Sequence, residues 1–317
     1  MHDSLSSSTS PSQKTISFER RAFLTRASSY ASVGVALSII IIKLIAWTLT
    51  DSLSLLSSLV DSALDVSVSL LNLFAIGYAL MPPDEDHRFG HGKAEDIAAL
   101  LQGAFIAGSG LFITVEALQR IFNPRPIESG EIGIIVMLIS TALTIGLVLF
   151  QRFVVRQTGS TLVKADSLHY TTDIAANIVV IVSFVVLMFT DWYWVDSFLA
   201  LVIAAYILNG ARLVAKGAFD RLMDKEFTDE ERQKIKDLIL SHPDVKGMHD
   251  LRTRHVGFRP FIQFHLELDG HITLDEAHRI ADEVEDAIMQ AYPNAGVITH
   301  QDPFEDGNKH TARHEHL

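Results

Sequence analysis

Six stretches of the chain are apolar and long enough to cross a bilayer: about Ser29 to Leu49, Leu53 to Leu80, Ile97 to Phe122, Ile132 to Phe150, Leu162 to Phe189 and Val195 to Val214. In lipid, every backbone N–H and C=O has to be satisfied within its own segment, so stretches of this length are helices. The expected class is therefore an α-helical membrane protein with six transmembrane helices. The 317 residues have a mean hydropathy of +0.25 although 20% are charged, so charge and hydrophobicity occupy different regions. Cationic side chains group on one side of such a bundle: Arg20, Arg21, Arg26, Arg88, Lys93, Arg152, Arg156, Lys164, Arg212, Lys216 and Arg221, against Arg120 and Arg125 on the other. The positive-inside rule makes the first side cytoplasmic and puts both termini there. The outer connections, Thr50 to Ser52, Asn123 to Glu131 and Asp191 to Trp194, are short. Residues 1–18 are Ser-rich without an apolar core, which reads as a disordered cytoplasmic leader and not as a cleavable signal.

Inside this apolar pattern sit ionisable residues, and each is costly there, about 2.5 to 3.5 kcal/mol on insertion scales. Asp61 and Asp65 lie four residues apart in the second span, and His169 and Asp173 repeat the spacing in the fifth. Residues at i and i+4 share one helix face. Two such faces turned toward each other would offer three carboxylates and an imidazole, a set that suits a divalent metal. At about 1.5 Å of rise per residue, both pairs fall near the middle of a core of about 30 Å. Lys43, inside the first span, either snorkels to the outer surface or reaches a carboxylate. Gly103, Gly108 and Gly110 in the third span fit ordinary close helix packing.

On the cytoplasmic side, the loop DEDHRFGHGK spaces Asp84, His87 and His91 at three- and four-residue intervals, either a metal cluster or a solvated polar loop. After Arg221 the composition becomes that of a soluble domain. Thr228 caps a helix with Glu231 at the capping-box position, and Gly247–Gly257 and Arg259–Asp269 read as strands. Thr273–Ala291 is an amphipathic helix and Gly296–Gln301 a third strand, giving an αββαβ, α+β domain. The expected division is 19–222 for the transmembrane domain, 223–306 for this domain and 307–317 for a mobile tail containing His310, His314 and His316. From Lys225 onward there are 11 basic and 19 acidic residues, −8 of the net −12. That balance argues against nucleic acid and suits attraction of cations. The chain has no cysteine, which excludes disulfides, thiolate catalysis and iron–sulfur clusters and leaves 14 histidines as the nitrogen ligands. His249, His255, His265, His271, His278, His300 and Asp302 concentrate in the α+β domain and favour a second metal centre there. By strand alternation His300 shares a face with Asp302, and His249 with His255.

The segments SLVDSALD, DHRFGHGKAE, ADSLHYTTD, HDLRTRHVG, FIQFHLEL and ITHQDP, in this order, resemble those of the cation diffusion facilitator family, in particular its bacterial zinc and ferrous-iron efflux branch. The resemblance runs from about Arg20 to Pro303. It implies a homodimeric, proton-coupled exporter of divalent metal, zinc foremost, in the bacterial inner membrane, with a metallochaperone-like cytoplasmic domain. It assigns the transport site to Asp61, Asp65, His169 and Asp173, and a loop site to Asp84, His87 and His91. It also assigns a binuclear site to His249, His265, His278, His300 and a bridging Asp302, and an interlock between protomers to Lys93 and Asp224. His255 departs from the pattern, which has Gln there.

No GxxxxGK[ST] sequence is present, so an ion gradient is the expected energy source. A histidine ligand titrates near neutral pH, so protons and metal compete for the same atoms. A metal channel or a membrane metallohydrolase are the rival readings. The second would want an HExxH-like helix, which the sequence lacks. Zinc, cadmium, ferrous iron and manganese all remain open as cargo.

Overall fold

The computed structural model describes residues 17–50, 53–122, 131–189 and 194–304. The expected leader up to residue 16, the tail histidines and most of the outer connections lie outside the described residues. Six long helices come first: α1 (Phe18–Thr50), α2 (Leu53–Ala79), α3 (Lys93–Phe122), α4 (Glu131–Thr158), α5 (Thr161–Phe189) and α6 (Trp194–Leu222). Among the described residues, α1, α3, α4, α6 and most of α2 are long and apolar enough to cross a membrane by composition alone. α5 is just as long, but its first half carries Lys164, Asp166, His169 and Asp173.

The bundle places polarity inside. Buried positions on α1 are Thr25, Ser28, Ser29, Ser32, Ala36, Ile39 and Ala46, while Leu49, Leu71, Phe74 and Phe112 point outward. Small and hydroxylic residues let helices approach where apolar contact with lipid already satisfies the exterior. α3 and α6 pack closely in this way. A side chain at Gly103 would meet Ala215 and one at Gly110 would meet Ile207 and Leu208, whereas Gly108 faces open space. The start of α5 is tied to α3, since Ser160 Oγ and the Leu162 N–H both donate to Glu95 (2.6 and 3.3 Å) and Thr161 Oγ1 donates to Asp96 (2.8 Å).

Then come α7 (Asp229–Leu240), β1 (Gly247–Val256), β2 (Arg259–Asp269), α8 (Leu274–Ala291) and β3 (Gly296–Phe304). Thr228 and Glu231 form the capping box that starts α7. The sheet order is β1-β2-β3, antiparallel then parallel. Ile262, Phe264, Leu266 and Leu268 alternate into a core with Ile235 and Ile239 of α7 and Ile280, Val284 and Ile288 of α8. The opposite face of β2 presents Phe261, Gln263, His265 and Glu267, because successive side chains alternate.

The loop between α2 and α3 sits directly on the β1–β2 turn. A Cβ on Gly92 would come within 2.7 Å of the Val256 carbonyl, and Gly257 turns the hairpin at φ +58. Phe89 meets Phe261 edge-on (5.6 Å) beneath the Arg254 guanidinium. Lys93 Nζ donates to Asp224 (2.8 Å), whose other oxygen pairs with Arg254 (3.0 Å). Burial pulls the Asp224 carboxyl upward, but these two cations outweigh it and hold it below its usual range. This pair therefore joins helix α3 to the C-terminal domain within one protomer.

Candidate metal sites

Three groups of side chains gather potential ligand atoms within 4.8 Å of one another: Asp65, His169 and Asp173; Asp84, His87 and His91; and His249, His265 and Asp302. Ligand atoms about 2.0 to 2.2 Å from a tetrahedral ion sit roughly 3.3 to 3.6 Å apart, so the side chains of each group would adjust by some tenths of an ångström around an ion.

In the membrane bundle, His169 Nε2 lies 3.2 Å from Asp65 Oδ1, so α2 and α5 turn their ligand stripes toward each other. Asp61 lies one turn from Asp65 and farther from the C-terminal domain. It is exposed and lines the same cavity of about 190 Å³ without joining the close cluster. Lys43 lines this cavity too. Its ammonium donates to the Ser58 carbonyl (3.1 Å) and Ser62 Oγ (2.7 Å) on α2, so it turns to α2 and, among the described residues, pairs with no carboxylate. The cavity walls are the halves of α1, α2 and α4 remote from the C-terminal domain and the middle of α5, from Tyr170 to Asn177.

On the domain side of the ligands the bundle is closed by hydrogen bonds that spacing alone did not reveal. Tyr170 and Ser69 hydroxyls are 2.8 Å apart across α5 and α2. Next comes buried Asp166, three residues before His169. Its Oδ2 accepts from Ser32 of α1 (2.6 Å) and Gln151 of α4 (2.7 Å), and its Oδ1 accepts from Asn72 of α2 (2.9 Å) and Gln102 of α3 (3.2 Å). A carboxylate has about four acceptor sites, and these donors fill them. One side chain thus fastens five helices. The available signal was a third ionisable residue on the stripe of His169 and Asp173, together with an amide or serine within each of four other spans.

In the loop, Asp84 Oδ1 accepts the His87 N–H (2.6 Å) and lies 3.1 Å from its Nδ1, while Asp84 Oδ2 is 3.2 Å from His91 Nε2. His91 is buried with Nδ1 unpartnered, and His87 is exposed.

In the C-terminal domain, Asp302 Oδ2 is 2.7 Å from His265 Nδ1 and 3.5 Å from His249 Nε2, whereas Oδ1 is 3.2 Å from His300 Nε2. The two oxygens face different histidines, the arrangement a bridging carboxylate needs. His249 Nε2 is buried without a hydrogen bond, and its Nδ1 is oriented by Glu267 (2.9 Å), as metal-ligating imidazoles commonly are. Imidazole nitrogens with a carboxylate are a donor set that suits a divalent metal. His278 stands apart, exposed on α8 and 3.7 Å from Asp282.

The expectation that His255 shares a face with His249 is corrected by a bulge. His249 pairs with His265 but Arg252 pairs with Gln263, so β1 spends an extra residue, with Asp250 at φ +50. An inserted residue reverses the side-chain alternation beyond it. His255 therefore points to the other face and stacks on Phe227 (4.4 Å). Burial first, then the Arg221 charge, lower its pKa to about 4. A histidine lowered in the folded state contributes stability that is whole above pH 6.5 and is lost as pH falls toward 4, at most roughly 3 kcal/mol. Hydrogen exchange into β1 and β2, corrected for intrinsic rate, is expected to accelerate between pH 6.5 and 4.5 more in the parent than in His255→Gln. Equal acid sensitivity of the two would contradict this.

A helical bundle with ligand-bearing carboxylates and an imidazole in its interior, joined to a small domain with another such cluster, defines a multi-pass membrane transporter of divalent cations. Residues 29–223 match the cation efflux transmembrane domain and residues 227–304 the cation efflux protein cytoplasmic domain. The chain belongs to the cation efflux family. It is 44% identical over 283 residues to the cation-efflux pump FieF of Shewanella oneidensis, covering 89% of this chain and 95% of that one. It is also 44% identical over 282 residues to protein p34 of Rickettsia prowazekii, covering 89% and 93%. Among solved structures, a chain of CzrB is 34% identical, covering 25% of this chain and 99% of its own, with a TM-score of 0.24.

Proposed function

We propose that this protein exports a divalent metal ion, zinc foremost with ferrous iron and cadmium as further cargoes, from the cytoplasm in exchange for protons. It does so by alternating access, as a homodimer in the bacterial inner membrane with both termini cytoplasmic. Residues 19–222 carry the ion and residues 223–306 sense it. Asp61, Asp65, His169 and Asp173 are the transport ligands, with Asp61 closing onto the ion from the cavity wall when it is bound.

The observation that carries this reading is the asymmetry around the ligands: a cavity on the side remote from the C-terminal domain, and the Tyr170–Ser69 and Asp166 hydrogen bonds on the other. Access from one side at a time is what exchange requires, whereas a channel needs a continuous path. Protons then compete with metal for His169 and the carboxylates. Flux of zinc into proteoliposomes with and without an imposed pH gradient tests this. Acceleration by a gradient of opposing protons supports exchange, and flux indifferent to it would favour a channel.

In the C-terminal domain, Asp302 bridges two ions held with His249, His265 and His300, and His278 comes to them when the domain or its partner moves. Two domains of net −8 repel when empty, and bound zinc reduces that repulsion. Zinc titration of a dimer with a distance probe on each C-terminal domain is expected to show contraction in the parent and none in Asp302→Ala. Contraction of unchanged extent in the variant would remove Asp302 from the sensor. Lys93 and Asp224, which pair within one protomer, are the candidates for the interlock that joins the two protomers near the membrane.

A further inference from the structure

Where α1, α4 and α6 meet the C-terminal domain there is a cavity of about 1280 Å³, separate from the metal sites described above. Arg20 and Arg21 enter it from α1, Arg156 from α4 and Arg221 from α6, with Lys234 of α7 on the far wall. Among the described residues none of the four arginines is ion paired, and Arg221 reaches only the Gly159 carbonyl, at 3.5 Å. Glu231 is the acid on the wall, and its carboxylate already accepts from the Thr228 N–H and hydroxyl. Arg21 Nε is buried with no partner at all. A buried donor left unmet is destabilising, and four unpaired guanidinium groups also repel one another, in a chain whose net charge is −12. His255 at the same wall is lowered first by burial and only then by the Arg221 charge, with a smaller part from Arg21.

We propose that this cavity binds a phosphate-bearing anion, with an anionic phospholipid headgroup as its occupant. Planar guanidinium forks match phosphate oxygens in pairs. The volume far exceeds that of inorganic phosphate, and Phe227, Leu238 and Tyr292 supply an apolar wall for a glycerol backbone and the first methylenes. The arginines stand at helix ends next to residues 18–21, 156–159 and 221, where the chain leaves its apolar segments. The bound headgroup braces three helices of the bundle against α7 and the β1–β2 turn. This goes beyond the transport reading and stands or falls without it.

The test uses the full chain in a neutral detergent, titrated with phosphatidylglycerol and read by native mass spectrometry, with phosphatidylcholine as the neutral comparison. Each basic residue near an anionic surface contributes enough that Arg21→Gln with Arg221→Gln is expected to bind phosphatidylglycerol roughly 30-fold more weakly. Arg152→Gln with Lys164→Gln, in a neighbouring cleft, is expected to bind as the parent does. A second arm titrates inorganic phosphate by calorimetry. Phosphate that binds the parent, fails with the arginine variant and is not displaced by phosphatidylglycerol would keep the phosphate site but reject the lipid as its source. Parent-like binding of both probes by the arginine variant, or an equal loss in the control variant, would overturn the site. A circular-dichroism melt of each variant separates loss of binding from loss of fold.

Discussion

Alanine at Asp65 or at Asp173 is expected to abolish zinc flux in proteoliposomes while leaving a protein that purifies as a folded dimer. These carboxylates and His169 bring their ligand atoms within 4.8 Å of each other, and removing one leaves too few donors to replace the hydration of a divalent ion. Partners that merely orient a ligand cost 10- to 100-fold when lost, so a ligand itself is worth roughly 100-fold or more. The fold is expected to survive because these side chains line a cavity and no packed core depends on them. Flux within a few-fold of the parent in both variants would remove this cluster from the transport path.

The second large effect is expected at Asp166, and it differs in kind. Asp166→Ala strands the donors of Ser32, Asn72, Gln102 and Gln151 in a buried place, at about 1 to 3 kcal/mol for each donor that finds no new acceptor. It also unfastens α1, α2, α3 and α4 from α5 on the domain side of the ligands. The expected result is a marked drop in thermal stability in detergent together with uncoupled zinc leak through protein that remains folded. Asp166→Asn keeps the shape but turns half of the acceptor group into a donor facing donors, so it is expected to lie between alanine and the parent in both measurements. Parent-like stability and tightly coupled flux in Asp166→Ala would show that the hydrogen bonds are incidental to closure.

The number of long helices, the αββαβ order and the family were legible in the residues, whereas α1, α4 and α6 run well past their apolar stretches on the cytoplasm-facing ends expected from charge. Apolar length, strand alternation in Ile262–Leu268 and the Thr228–Glu231 capping box are local properties of the chain, settled by partition between lipid, water and core. The i, i+4 spacings that align Asp61 with Asp65 and His169 with Asp173 are equally local. How far two aligned stripes converge is not local, because it depends on the rotation of each helix about its own axis. The helix packing brings Asp65 to His169 and Asp173 and leaves Asp61 on the cavity wall. It also gathers single polar residues, inconspicuous on four separate helices, onto Asp166. In the C-terminal domain one inserted residue at Asp250 outweighs simple alternation, sending His249 to the Asp302 cluster and His255 to the arginine-lined cavity. A bulge and a helix rotation are both set by how one element meets another, which is why the periodicity of a single segment carries no trace of them.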